Sequence, residues 1–373
     1  MKKIKKVGLF VNTTKANATA VVEGVSAWLE ERDIVPLLSD EQGVTLGRSQ
    51  AGISKTEVVE QADVLLVLGG DGTLLSAAHT PKIENVPILA INIGTLGFLT
   101  DASLDELYPT LNALLTGAYR IEHRMMLEVI VNSQAQTDPT EPQEEITDSN
   151  KTVARNEMEG GYTDKNVNAQ THLTEPQEEI TDSNKTVARN EMEGGYTDKN
   201  VNAQTHLTEP QGKLKKPFQA FALNDVVIRH YTHLIELDAY VDGELFIPYN
   251  ADGLIIATPS GSTGYSLSCA GTIVAPQLEA ILLTPIAPHS LTVRPFIADG
   301  AAEITVEMRA AYQSVDVFVD GQRETHSLTA GAVIRVKKAE RTIQLIRSQH
   351  HSYYRALREK LMYGYQPSAI SRR

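Results

Sequence analysis

The chain holds a single cysteine, Cys269, in 373 residues. That excludes an internal disulfide and a cysteine-built zinc site. Long apolar runs are missing too: no stretch approaches the roughly 18 residues that span a membrane. The basic start Met1-Lys2-Lys3-Ile4-Lys5-Lys6 leads into Val7–Asn12, too short for a signal-peptide core, so a cytoplasmic location is expected. Basic residues are the minority, 34 Lys and Arg against 47 Asp and Glu, with no basic stripe along the chain. That balance speaks against a nucleic-acid partner. A hydrophobic content of 42% is enough for sizeable cores, and the length suggests about two domains.

The formal charge of −13 misleads, because it is concentrated in one segment. Residues 132–212 carry 16 acidic and 6 basic side chains, a net of −10. Within them, Thr140–Leu173 is repeated residue for residue as Thr174–Leu207, with a period of 34. That period invites a helical-repeat reading, but the unit has few large apolar residues and no helical stripe. Its Glu, Asp, Asn, Thr and Gln content is that of a chain unable to bury enough surface to order itself. The segment is therefore expected to be a disordered acidic insertion. The residues on either side, 124–131 and 218–223, read as two strands of one β-hairpin whose loop it expands.

From the start to about residue 118, strands and helices alternate. Val7–Asn12, Ile34–Leu38, Asp63–Leu68 and Val86–Ile91 read as strands. Ala16–Arg32 and Asp101–Leu115 read as helices, the second with Ser103 as its cap. Such alternation predicts a Rossmann-like α/β domain with a parallel sheet, whose ligands bind at the C-terminal strand ends. Two glycine turns, at 69–73 and 94–97, belong at that edge. After residue 119 strands dominate, among them 235–241, 244–248, 253–257, 280–283, 303–308, 314–319, 332–337 and 342–346. They predict a β-rich, β-sandwich-like C-terminal domain over 119–349, interrupted by the insertion. A closing amphipathic helix, about 350–365, is expected to dock back on the first domain.

The turn Gly69-Gly70-Asp71-Gly72-Thr73 joins the apolar strand 63–68 to a helix. Glycines let a backbone approach phosphates, and a helix N-terminus offers N–H groups and positive dipole. A carboxylate there would repel phosphate unless it holds a metal or takes a proton from an attacking hydroxyl. The plain alternative is a tight turn closed by an Asx hydrogen bond. Three later clusters are also dense in polar residues: Asn224-Asp225, Asp252–Ser268, and Pro288–Pro295 with His289. Small residues and hydroxyls of this kind can line a polyhydroxylated ligand, or can simply be turns and helix caps.

Taken together, these stretches resemble the NAD kinase family. The resemblance is carried by Gly69–Thr73, Asn92–Leu99, Leu223–Ile228, Asp252–Ser268, Thr284–Leu291 and Asp320-Gly321-Gln322, in the family's order. It implies transfer of a phosphoryl group from ATP, or in some members from polyphosphate, to the 2′-hydroxyl of NAD's adenosine ribose. It also implies Asp71 as general base, and Gly69, Gly70, Gly72 and Thr73 beside the donor phosphates. A divalent cation, magnesium by preference, would accompany them, with no side chain assigned to it. Asn224 and Asp225 would bind the ribose and adenine region of NAD, and Asp252 its nicotinamide end, with Asn250 two residues before. Thr263, Gly264, Tyr265, Ser266, Leu267 and Ser268 would contact adenosine, and Gln322 would touch NAD. Phe98 reads equally as a base-stacking ring or as core. The resemblance further implies a homodimer or homotetramer. Two departures stand out: Asp225 where many members have Glu, and Asn250 where a basic residue is common. The alternatives are a lipid kinase sharing the glycine–aspartate turn, and a non-catalytic dinucleotide-binding regulator.

Overall fold

Strands buried on both faces read as unbroken apolar runs, and the first half of the chain is built from them. In the computed structural model, which describes residues 3–47, 53–94, 97–132, 217–309, 315–328, 331–349 and 352–361, the elements come in this order. The first half holds β1 (Lys6–Val11), α1 (Ala18–Glu30), β2 (Val35–Leu38), α2 (Asp40–Thr45), α3 (Lys55–Gln61), β3 (Val64–Leu68), α4 (Asp71–Ala78), β4 (Ile88–Asn92), β5 (Ala102–Ser103) and α5 (Leu107–Thr116). Then follow β6 (Tyr119–Asn132), β7 (Phe218–Ala222), β8 (Asp225–His230), β9 (Ile235–Val241), β10 (Glu244–Ala251), β11 (Gly253–Ala257) and α6 (Tyr265–Ser268). The chain continues through β12 (Ala280–Ile286), β13 (Phe296–Asp299), β14 (Ile304–Met308), β15 (Val315–Val319), β16 (Glu324–Ser327), β17 (Val333–Ser348) and α7 (Tyr353–Leu361). The expected acidic insertion, from residue 133 on, lies outside the described residues.

Strands β2, β1, β3 and β4 pair in parallel in that order, as the alternation predicts. Their side chains divide between two faces with a period of two. Leu66, Leu68, Leu89 and Ile91 pack with Val22, Val25 and Leu29 of α1 and with Leu107, Leu111 and Leu114 of α5. Leu65, Val67, Ile88 and Ala90 pack with Val58 and Val59 of α3 and with Leu74, Ala77 and Ala78 of α4. Each such leucine or valine contributes roughly 1.5–3 kcal/mol by leaving water, which fixes the helices to the sheet without help from their short lengths.

The parallel strands do not end at a domain boundary. β17 pairs with β4 at Leu345↔Ile88 and runs antiparallel to β6 and β14. One sheet of 11 strands therefore extends from β2 to β10. A second, six-stranded sheet, ordered β13-β12-β11-β8-β15-β16, faces its antiparallel part. Leu127, Leu237 and Ile304 from the first sheet meet Ile228, Leu254 and Val317 from the second in one apolar layer, so the second half is a β-sandwich.

Two differences from the sequence reading have local causes. The strands read at 332–337 and 342–346 are one strand, β17. An irregularity between Lys338 and Thr342 lets both parts pair with β6. The polar residues Lys337, Lys338, Glu340 and Arg341 hide this continuity. Helices α2 and α3 were not foreseen; α3 is closed at its start by a capping box between Ser54 and Glu57. The expected hairpin is present: β6 and β7 pair antiparallel, from Leu127↔Ala222 to Val131↔Phe218.

Candidate active site

Strand β3 delivers the chain to Gly69 and Gly70 at the C-terminal edge of the parallel sheet, and Asp71 opens α4. A Cβ on Gly69 would run into the Thr73 side chain, so the tight turn needs glycine there. The Asp71 carboxylate is held from outside its own helix. Its two oxygens accept from Phe98 N at 2.8 Å and Leu99 N at 3.0 Å. Gly97, one residue earlier, allows this approach, since a Cβ there would overlap the Asp71 carboxylate. The loop after β4 thus fixes the acid at the start of α4. Asp71 remains 28% exposed on its side chain, enough to meet a ligand.

The same loop is anchored from behind. Arg347, on β17, donates from Nη1 to Leu99 O at 2.9 Å and from Nε to Glu122 Oε2 at 2.9 Å. Arg124 donates to Glu122 Oε2 at 3.0 Å and to Ser260 Oγ at 3.3 Å. Burial would raise the Glu122 carboxyl, but Arg124 and Arg347 outweigh it and hold it at about 2. One carboxylate thereby ties the loop that holds Asp71 to the turn that begins at Ser260.

Helix α4 separates two cavities. The first, about 570 Å³, is lined by Gly70, Gly72, Thr73 and Ser76, and across from them by Asn12, Lys15, Asn92 and Arg323. Arg323 donates to Gly72 O at 2.8 Å, and the Lys15 ammonium lies against Gly94. The second, about 350 Å³, is lined by Leu75, Asn224, Asp225, Arg229, Tyr265, Phe318 and Gln322. Asp71 and Leu75 are four residues apart and share a helix face. Neighbouring residues of the loop after β15 divide likewise, Gln322 to the second cavity and Arg323 to the first.

The second cavity rests on a buried carboxylate that sequence reasoning named only as part of a motif. Asp320, with φ of 47°, accepts from Leu223 N at 2.8 Å, Asn224 N at 2.7 Å and Asp225 N at 3.1 Å. It fixes the turn that presents Asn224 and Asp225. Burial, and then the Asp320 charge, push the Asp225 carboxyl up to about 7. His79, at the end of α4, reaches Asp320 Oδ2 at 2.9 Å and Glu324 Oε1 at 3.1 Å. Burial would lower its pKa, but these two carboxylates outweigh burial and raise it.

Of the residues singled out in the sequence, Gly70, Gly72 and Thr73 line the first cavity; Asn224, Asp225, Tyr265 and Gln322 line the second. Gly69 lies beneath the turn. Ser266 is fully buried and hydrogen-bonded to Thr284 Oγ1 at 2.8 Å. Thr263 donates to Ser260 O at 3.2 Å. Gly264 stands beside Asn224 and Asp225; Leu267 is half-buried and Ser268 exposed, and neither lines a cavity. Asn250 and Asp252 sit at the far end of β11 from Asp225, since Ala257 pairs with Asp225 and Gly253 with Arg229. They line neither cavity. The Asp252 charge still reaches Tyr265, whose pKa is raised by burial, by Cys269, and by the Asp225 and Asp252 charges against the opposing pull of Arg229. Lys15, His79, Arg229 and Arg323 were missed. Only Lys15, just past the end of a strand bound for this edge, carried a usable signal.

Comparison with known proteins follows the same division. Residues 7–119 match the ATP-NAD kinase N-terminal domain, and residues 223–348 match the ATP-NAD kinase C-terminal domain. The NAD kinase of Geobacter metallireducens is 33% identical over 97% of this chain and 99% of its own length. That of Moorella thermoacetica is 34% identical over 97% of this chain and 90% of its own. Yeast NADH kinase, solved with NADH, superposes with a TM-score of 0.70 at 21% identity, covering 100% of this chain and 91% of its own. An Archaeoglobus fulgidus NAD kinase, solved with ATP, gives 0.58 at 19% identity over 96% and 98%. At those identities the two solved structures speak to the fold.

Proposed function

The chain belongs to the NAD kinase family and phosphorylates NAD with ATP, and on that premise we propose how its residues divide the work. The observation that carries the proposal is the place of Asp71: it lines neither cavity itself but opens the helix whose residues line both, its carboxylate held by two backbone N–H groups. ATP occupies the larger cavity. Its phosphates meet the first turn of α4, where N–H groups and the helix dipole favour anions, and the cations of Lys15 and Arg323. The adenosine ribose of NAD enters from the second cavity, between Tyr265, Asn224, Asp225 and Gln322. A ribose hydroxyl is weakly acidic, so a carboxylate that takes its proton as the new bond forms lowers the barrier. The 2′-oxygen bonds to the γ-phosphorus, the bond from that phosphorus to the bridging oxygen breaks, and ADP leaves. The 2′-hydroxyl proton passes to Asp71. Membership in this family sets aside the lipid-kinase alternative.

A divalent cation fits the donor cavity as a companion of the triphosphate. Among the protein oxygens there, Asn12 Oδ1 accepts from Thr14, Asn92 Oδ1 accepts from Gly94 N and Glu41 pairs with Lys55, while Gln42 Oε1 is buried without a hydrogen-bond partner. A hard cation would take phosphate oxygens and water, as magnesium prefers, and would offset the charge of the transferring group.

Further readings rest on the same premise. The two halves, on either side of residues 118 and 119, form domains that share the 11-stranded sheet. The NAD-facing half supports a homodimer or homotetramer. Edge strands β10 and β13 expose Leu245, Phe246, Phe296 and Ile297, with the two phenyl rings 4.4 Å apart; a monomeric mass by light scattering would reject assembly. Among the described residues no helix is long and apolar enough to cross a membrane, which agrees with a cytoplasmic place. The central test is Asp71→Asn, assayed with NAD, ATP and magnesium. A fall in NADP formation of about 10²-fold or more is expected, and a near-parental rate would overturn the base assignment.

A further inference from the structure

Helix α7 returns to the active site from the far end of the chain. Ala356 is buried, and Arg355 pairs with Glu359 one turn on at 2.9 Å. This places the Lys360 ammonium 3.9 Å from Asp71 Oδ2 and 4.3 Å from the centroid of the Phe98 ring. Phe98 and Leu99 are the residues whose N–H groups hold Asp71. The same loop is gripped from β17, where Arg347 holds Leu99 O and Ser348 N donates to Asp101 at 3.1 Å. Strand β17 and helix α7 therefore touch this loop at its backbone and its ring, and touch the Asp71 carboxylate that it holds.

We propose that Lys360 is a positioning residue for phosphoryl transfer, an ammonium that lets an anionic triphosphate approach the Asp71 carboxylate while keeping Phe98 in place. At 3.9 Å the ammonium is beyond ordinary hydrogen-bond reach. It lowers the repulsion between donor and base without taking the carboxylate lone pair that must receive the hydroxyl proton. Its seat over the Phe98 ring is a cation–π contact, which couples the charge to the loop. The inference rests on Asp71 as the base.

The test uses the full chain with both substrates saturating. Lys360→Ala lowers kcat roughly five- to twentyfold, the size of a partly exposed electrostatic contact made stronger in a closed site. The KM values for ATP and NAD move little, Lys360→Arg keeps most of the rate, and ethylammonium added to Lys360→Ala restores part of it. The exposed neighbour variant Arg358→Ala behaves as the parent, and thermal melts of all four proteins coincide. A Lys360→Ala rate within about twofold of the parent or above it, or a loss that neither Arg nor ethylammonium recovers, overturns the inference. Asp71→Asn run beside it separates the two readings. If that variant stays active, the base assignment fails and this inference with it. If it collapses while Lys360→Ala does not, only the lysine inference fails.

Discussion

The two cavities beside α4 are built in opposite ways. The proposed donor side is made of glycine backbone and short polar side chains of the α/β half and of two exposed cations, Lys15 from that half and Arg323 from the loop after β15. The proposed acceptor side is made of aromatic and apolar surface, Tyr265 and Phe318 of the sandwich half with Leu75 of α4, around buried carboxyls of the sandwich half. A triphosphate carries most of its recognition as charge, which mobile cations and helix N–H groups satisfy over a range of poses. A dinucleotide is recognised by shape and by hydrogen bonds whose loss is costly when buried. On the proposed assignment the difference places selectivity in the acceptor cavity, while the donor cavity supplies electrostatics common to many phosphate donors.

That contrast can be broken at its shared point first. Gly97→Ala pushes the loop off Asp71 and is expected to cost about 10²-fold in kcat, the scale of a misplaced catalytic group; steady-state rates with both substrates saturating check it. A similar loss in both KM values instead would mean that the loop serves binding. Next comes the buried acceptor side. In the folded chain Asp225 titrates at about 7 against an ordinary value of 3.8. Between these values the folded protein holds a proton that the unfolded chain has released, so stability falls as pH rises through that window. Asp225→Asn removes that fall, and should gain on the order of 4 kcal/mol over the parent at pH 8 while gaining little at pH 4. His79, with a raised pKa, also loses its contribution as pH rises, so the comparison is of variant with parent at each pH in urea melts. The same variant is expected to bind NAD less well, which separates stability from recognition. The smallest effect belongs to the donor side. Lys15→Met and Arg323→Met each raise KM for ATP roughly three- to tenfold, with KM for NAD unchanged. An equal rise in both would erase the division between the cavities.

What was legible in the sequence was local. The strand Val64–Leu68, its glycine turn and the helix after it lie within fifteen residues, and each carries its own signal in apolar runs and glycines. The pairing of β6 with β7 was readable across the acidic repeat because both strands announce themselves. The contacts that complete the site are remote. His79 meets Asp320 across 241 positions, and Arg323 meets Gly72 across 251. Neither partner has a periodicity or motif that points to the other. Lys360 is still less visible, because an amphipathic terminal helix shows which face it buries but not against what. The continuity of β17 was hidden for a simpler reason: a strand that bends at polar residues looks like two.

β17 has a consequence for how such an enzyme can be altered. It is one strand of 16 residues whose ladder touches β4 of the α/β half and both β6 and β14 of the sandwich. The α/β half and the first sheet of the sandwich are therefore joined by a shared backbone rather than by a linker. Exchanging halves between relatives to recombine donor and acceptor preferences would cut this strand's partners apart. A workable exchange has to move β17 and its neighbour strands as one block, or confine itself to the loops at the sheet's edge.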